Sequence, residues 1–213
     1  MGHPAWPLFG LEVRTPRLTL RYLDDELAEE VLRVAVAGIH DPEFMPFAIP
    51  WTDLASPQLE QESLRFYWST RAGTSPERFR LTFAVIADGA VVGASDVAAD
   101  DFPTLRQFET GSWLGREFQG IGLGKELRMA SLTLGFDGLG AEFALTAAYH
   151  DNAASLGVTR SLGYEEVGRR RARRRDVADE QIGFRMHRSH WETLRRDDIS
   201  VHGIEAARAF LGL

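Results

Sequence analysis

The chain has no cysteine in its 213 residues. Disulfides, cysteine-based zinc sites and thiol catalysis are therefore excluded. It also lacks any apolar run approaching the roughly 18 residues that would suggest a membrane span. Its first ten residues, MGHPAWPLFG, do not follow the basic-then-apolar layout of a signal peptide. A cytoplasmic protein with no membrane partner is expected. The six histidines are scattered, without H-E-x-x-H or comparable spacing, so no metal is expected. A net charge of −7 argues against a general nucleic-acid binder and suits a cationic or amine partner. With 44% hydrophobic and 26% charged residues, the composition is that of a globular protein, and the length fits one well-filled domain.

Local patterns set the order of elements. Arg17 to Leu23 alternates Leu18, Leu20 and Tyr22 against Thr19 and Arg21, which predicts a half-buried strand. Asp24-Asp25 opens a helix to about Val36. Residues 38–56 hold three prolines together with Phe44, Phe47, Trp51 and His40, which reads as an ordered covering loop. Ser56-Pro57 pairs an N-cap residue with proline at a first helical position, predicting a helix to about Thr70. Arg80 to Ala87 and Val91 to Val97 flank Asp88-Gly89, a hairpin signal. Gln107 to Leu114 follows as a strand and Phe143 to Ala148 as another. Asp151 or Asn152 caps a short helix that Gly163 ends, and Tyr164–Val167 and Ile182–His187 form a last strand pair.

Between the strands at 107–114 and 143–148 lies Gln119-Gly120-Ile121-Gly122-Leu123-Gly124-Lys125. Leu127, Ala130 and Leu134 then recur at helical spacing, so these glycines open a helix at the end of a strand. Such a loop lets the backbone approach a ligand, and the first-turn N–H groups and helix dipole favour a phosphate. A dinucleotide fingerprint fails because Lys125 stands three after Gly122. A P-loop fails because Glu126 follows Gly124-Lys125 and position 119 is glutamine. The pattern that fits is Q-x-x-G-x-G, Gln119 to Gly124.

That pattern resembles the pyrophosphate loop of the GNAT superfamily of acyl-CoA N-acyltransferases. The element order, β-α-α-β-β-β-α-β-α-β-β over about residues 15–190, is similar to the GNAT fold. An α/β (α+β) protein is expected, with a mixed, mostly antiparallel sheet of six to seven strands flanked by helices. Thr15-Pro16-Arg17-Leu18, Trp113-Leu114-Gly115, Asp151-Asn152-Ala153-Ala154-Ser155 and Leu162-Gly163-Tyr164 resemble the ribosomal-protein alanine acetyltransferase branch. Residues 191–213 are expected to form a helical tail, carrying Ile204, Ala207, Phe210 and Leu211, that packs on the domain or on a second subunit as a homodimer.

The resemblance implies acetyl or longer acyl transfer from an acyl-CoA to a primary amine, by direct attack in a ternary complex. It implies pyrophosphate contacts from Gln119, Gly120, Ile121, Gly122, Leu123, Gly124 and Lys125. The pantetheine would lie between the strands at 107–114 and 143–148, with a backbone N–H near Trp113 or Leu114 facing the thioester. Trp113 could equally be a core aromatic. Glu109 is the candidate base, with Asp96 and Asp101 as rivals, or else a solvated strand residue. Asn152 would contact the pantetheine and Ser155 the sulfur, although both also suit simple helix capping. Many relatives carry an acidic-role tyrosine seven beyond Asn152; here that position is Thr159, leaving Ser155, Tyr149 or Tyr164. Arg169 to Arg175 holds six arginines in seven residues, expected in a loop. They could bind the CoA 3′-phosphate, an acidic acyl group or RNA, or be merely solvated. The loop 40–53 is expected to cover the acceptor cleft, with a small molecule or a peptide or protein amine as acceptor. The alternatives are a succinyl-CoA-dependent transferase and a non-catalytic acyl-CoA-binding module.

Overall fold

The structure, a computed structural model, describes residues 3–213. One mixed sheet of nine strands runs through it in the order β7-β8-β6-β5-β4-β3-β2-β1-β9. In chain order the strands are β1 (Glu12–Arg14), β2 (Thr19–Tyr22), β3 (Arg78–Ala87), β4 (Ala90–Asp100), β5 (Gln107–Leu114), β6 (Phe143–Tyr149), β7 (Glu165–Arg174), β8 (Val177–His187) and β9 (Ser200–His202). The helices are α1 (Asp25–Ala37), α2 (Gln58–Ala72), the single turn α3 (Phe102–Leu105), α4 (Leu123–Thr133), α5 (Ala153–Ser161), α6 (Arg188–Leu194) and α7 (Ile204–Leu211). Every neighbouring pair is antiparallel except β5 with β6. The sheet thus has two more strands than the upper expectation, because β1 and β9 are three-residue pieces too short to show a period.

Pleat alternation builds two cores on the two faces. Phe83 and Val85 of β3 point into the larger one, with Leu127, Ala130 and Leu134 on the α4 side. Ala84 and Ala94 point the other way, against Leu27, Val31 and Leu32 of α1 and Leu59 and Tyr67 of α2. The Asp24 carboxylate caps α1 by accepting from the Leu27 N–H at 2.8 Å. Asp88 and Gly89 take φ of 49° and 80°, the paired left-handed geometry of a tight hairpin turn. Ser56 does not cap α2: Pro57 holds that position without a side-chain cap, and the Ser56 hydroxyl donates to Glu60 instead.

The C-terminal segment is woven into the domain. Strand β9 pairs with β1, and Trp191 is fully buried, stacked on Phe136 at 5.7 Å with its indole N–H donating to Asp137. Phe136 in turn meets Phe108 edge-on at 5.3 Å, so β5, the helical turn Leu134–Gly138 after α4 and the tail share one aromatic column. That column needs Gly135, where an added Cβ would lie 2.1 Å from Phe108 Cζ. Gly135→Ala is expected to cost about 1–3 kcal/mol by overpacking. Thermal denaturation should show a Tm several degrees lower with unchanged helix content.

Candidate active site

The central feature is a failure of pairing. Strands β5 and β6 are bonded only at Gln107↔Phe143, Phe108↔Ala144 and Glu109↔Leu145. Beyond Glu109, β5 stays on β4 and β6 stays on β8, so the two strands part in a wedge. The facing edges from Thr110 and Thr146 onward carry peptide groups with no strand partner across the gap. An extended ligand bearing amides could pair with them as a strand would. At the apex, the Thr146 hydroxyl donates to the Thr110 carbonyl at 3.5 Å.

The glycine loop stands at the mouth of this wedge. Gly120 and Gly122 adopt φ of 76° and 84°, which an L side chain resists. Gly122 then caps α4 with no side-chain hydrogen bond, leaving the first-turn N–H groups for a ligand. Ile121, Gly122 and Lys125 are exposed, Gly124 is half-buried and Leu123 anchors the turn in the core. The carbonyls are turned away from the site: Arg17 donates from Nη1 to Ile121 O at 3.1 Å and from Nη2 to Gly122 O at 3.2 Å. Arg17 is held by buried Glu126, which accepts from Arg17 Nε at 2.6 Å, the Arg17 N–H at 3.0 Å and the Thr15 hydroxyl at 2.6 Å. Burial alone would raise the Glu126 carboxyl, but those bonds outweigh it and keep it below its ordinary value. The Gln119 amide donates to Leu114 O and Ile39 O, at 2.8 and 2.7 Å, so its side chain braces the loop. Sequence reading missed the Arg17–Glu126 strut because its members lie 109 residues apart.

Helix α5 forms the other lip. The Asn152 side chain caps it by accepting from the Ser155 N–H at 3.1 Å, and Ser155 is left half-buried. Val158 lies 3.8 Å from where a Gly124 Cβ would stand, so α5 runs against the start of α4. Leu114 is buried in the core, and the Trp113 ring faces the opposite layer, 5.9 Å from Trp51.

On that α1/α2 face sit the carboxylates. Glu109 is exposed at the last paired rung before the wedge opens. Asp96, opposite Gly111, is bound by Arg80 at 2.5 Å. Burial pushes the Asp96 carboxyl up, Arg80 pulls it down, and the Glu109 charge adds to the rise. A Cβ at position 111 would come within 2.7 Å of the Asp96 carboxylate, so Gly111 makes room for it. Asp101 lies at the far end of β4, where it begins α3, away from this cleft. Over the cleft runs the segment 39–53, whose rings form a row: His40 to Phe47 at 5.6 Å, Phe47 to Trp51 at 5.4 Å, then Trp113.

The arginine run corrects the expectation of a loop. Arg169 to Arg174 lie in β7, and only Arg175 enters the turn, with φ of 51°. Acids and an amide along the hairpin make this possible, since Arg169 pairs with Glu180, Arg170 with Gln181 and Arg173 with Asp176. Arg174 bridges three segments, bonding Met45 O at 2.7 Å, Asp151 at 2.8 Å and Asp179 at 2.8 Å, and it lies over the Phe44 and Tyr149 rings. Arg175 grips Asp53 with two bonds of 2.8 Å and also bonds Pro42 O at 2.6 Å. The last two arginines of the run, Arg174 and Arg175, thus clamp the covering segment, while Arg169, Arg170 and Arg173 are spent within the hairpin.

A strand wedge, a phosphate-type loop at its mouth and a hydroxyl-bearing helix on its lip make a candidate site for an extended ligand that carries amides and a phosphate group. The family comparison agrees: residues 17–165 match the acetyltransferase (GNAT) domain, and the chain belongs to that family. It is an acyl-CoA-dependent N-acetyltransferase, and acetyl-CoA is the co-substrate of its family. Among solved structures, Mycobacterium smegmatis RimJ in complex with CoA-disulfide is 18% identical, with a TM-score of 0.71 over 98% of each chain. A proposed ribosomal-protein-serine acetyltransferase from Vibrio cholerae is 19% identical, with a TM-score of 0.62 over 83% of this chain and 97% of the other. The microcin C7 self-immunity acetyltransferase MccE, in complex with acetyl-CoA and AMP, is 18% identical, with a TM-score of 0.64 over 81% and 93%. Among the described residues no three His, Asp or Glu side chains gather as a metal site, and no helix is long and apolar enough to cross a membrane.

Two outcomes follow from the Arg174 clamp. Arg174→Met removes the guanidinium that joins Asp151, Asp179 and Met45 O, and faster limited proteolysis within 40–53 is expected than in the parent protein. The Arg174 hydrogen bond, followed by the Glu180 N–H, holds the Asp179 carboxyl below its ordinary 3.8. A depressed carboxyl contributes stability above its unfolded pKa and loses it as pH falls through the folded value. Asp179→Asn should therefore lower stability near neutrality and flatten the acid limb below about pH 4 in a denaturation series.

Proposed function

We propose that this chain transfers an acetyl group from acetyl-CoA to a primary amine by direct attack in a ternary complex. The observation that carries the reading is the wedge beyond Glu109 with the glycine loop at its mouth. The backbone N–H groups of residues 120–125 would hold the pyrophosphate, as an anion at a helix N-terminus. The pantetheine would run down the wedge along the free edge of β5 past Trp113 and Leu114, and the thioester would reach the apex. Asn152 and Ser155 would line the opposite lip. The amine enters from the α1/α2 face, under the aromatic row of the 39–53 segment. Its nitrogen attacks the thioester carbon, a C–N bond forms, and the C–S bond breaks with its electron pair leaving on sulfur.

Glu109 is the proposed base, acting through water. It is exposed on the acceptor face at the point where the wedge begins, whereas Asp96 is tied to Arg80. Two carboxylates and an aromatic wall suit an ammonium-bearing acceptor, whether a small molecule or a peptide amine. Ser155 is proposed to donate to the departing sulfur.

A thermal-shift panel with CoA, acetyl-CoA, succinyl-CoA, NAD and ATP tests the cofactor. Only the CoA species should raise Tm, by mass action on the folded state. Acetyl-CoA against succinyl-CoA ranks the acyl groups, and no shift with any CoA species would sink the reading. With an amine panel and free-thiol detection, Ser155→Ala should lower kcat about a hundredfold while CoA still shifts Tm.

A further inference from the structure

Seven buried side-chain polar atoms lack a hydrogen-bond partner among the described residues, and four of them belong to β5, α4, α5 and the segment after α5, the elements that border the wedge. They are Thr110 Oγ1 on β5, Arg128 Nη1 on α4, Thr159 Oγ1 on α5, and the Tyr164 hydroxyl just beyond α5. These residues are 5%, 6%, 1% and 6% exposed. Thr110 lies on the same face of β5 as Phe108, which packs on Phe136, so its hydroxyl points toward the α4 layer. Arg128 and the Thr110 hydroxyl are both near enough to the Tyr164 phenol to oppose the rise that burial imposes on it. The Thr159 carbonyl accepts the Tyr164 N–H at 3.4 Å, fixing that residue beside α5.

Arg128 is the anomaly. Among the described residues it has no carboxylate partner, and the acid that feels its charge is Asp96, on the other face of the sheet and already paired with Arg80. Ordered water can satisfy hydroxyls, but a buried guanidinium without a counter-charge is costly and points to an anion. Acyl transfer makes one. Thr110 is the first residue past the last β5–β6 rung, where the thioester sulfur would arrive on the reading above.

We propose that Arg128, Tyr164 and Thr110 form an anion site at the wedge floor that receives the CoA sulfur as its bond to the acyl carbon breaks. The inference rests on the acyl-transfer reading. The amine forms the C–N bond and gives its proton through water to Glu109. The C–S pair leaves on sulfur, whose charge meets the guanidinium and the hydrogens of the two hydroxyls from the floor while the Ser155 hydroxyl donates to it from the lip. Tyr164 stays protonated and CoA takes up a proton from solvent on release. The charged or titratable groups around this site are Arg128 from α4, Tyr164 beyond α5, Glu109 from β5, Asp96 from β4 and Arg80 from β3. The site would do for the leaving group what a preorganised donor pair does for an oxyanion.

The test is the ionisation of the CoA thiol bound to the intact protein, followed by ultraviolet thiolate absorbance against pH. In the parent complex the thiol should ionise at least about one pH unit below free CoA. Arg128→Met should restore the free value and lower kcat about tenfold or more, with acceptor KM unchanged. Arg128→Lys should recover part of both. Tyr164→Phe, which removes a single oxygen, gives the same reading if Arg128→Met does not fold. A bound thiol that titrates as in water, or an Arg128→Met enzyme with parental kcat, would overturn the proposal while leaving acyl transfer intact. Absence of CoA binding would instead remove the acyl-transfer reading itself.

Discussion

Three rungs of parallel pairing, and then none, set the layout of this molecule. A sheet broken in its middle exposes two edges, and both here face each other across a gap instead of facing solvent. The break survives because each strand stays paired on its outer side along the gap: β5 from Glu109 to Leu114 with β4, and β6 with β8 along its whole length. Helices α4 and α5 then brace the lips from one layer, and α1, α2 and the 39–53 segment close the other. The glycine loop, the α5 cap and the two carboxylates all take their relevance from where that gap begins. Closing it by one more rung at Thr110↔Thr146 would remove the site without altering any single functional side chain.

Arginine does much of the work of holding irregular backbone in place. Loop carbonyls that no helix or strand satisfies accept from guanidinium groups repeatedly: Ile121 and Gly122 from Arg17, His40 from Arg116, Met45 from Arg174, Pro42 from Arg175, Gly140 from Arg106, and Gly138 from Arg208. A planar fork with several donors can bind a carbonyl and a carboxylate together, and Arg17 and Arg174 both do so. Most arginines stand exposed at the surface, yet the donors of those named here are committed to backbone carbonyls and carboxylates.

Reading the chain alone recovered whatever depends on local pattern. Gln107–Leu114 was readable from its aromatic and apolar content, Asp88-Gly89 from turn chemistry, and the loop at 119–124 from spacing. Only the start of β7, to Val167, was readable; its extension through the arginines escaped because it is an exposed edge strand without a half-buried period, its pairing carried by charge matched across the hairpin. Arg128 escaped for the opposite reason, since a basic residue within a helix reads as solvated surface until tertiary packing covers it. The clamp from Arg174 to Met45 crosses 129 residues, and no local rule anticipates a partner so distant. Glu109 and Ser155 were reachable as candidates only because the loop between them marked the neighbourhood.

One detail of the glycine loop bears on how the protein can be labelled and how it can label itself. Lys125 is the only lysine in the sequence, and it stands exposed on the first turn of α4. Guanidinium groups do not take up acyl groups under ordinary conditions, so the surface is nearly free of nucleophilic amines. Amine-directed reagents would therefore report on a single side chain, at the mouth of the wedge. A stray activated acyl donor has the same one side-chain amine to attack, and a bound pyrophosphate would cover it.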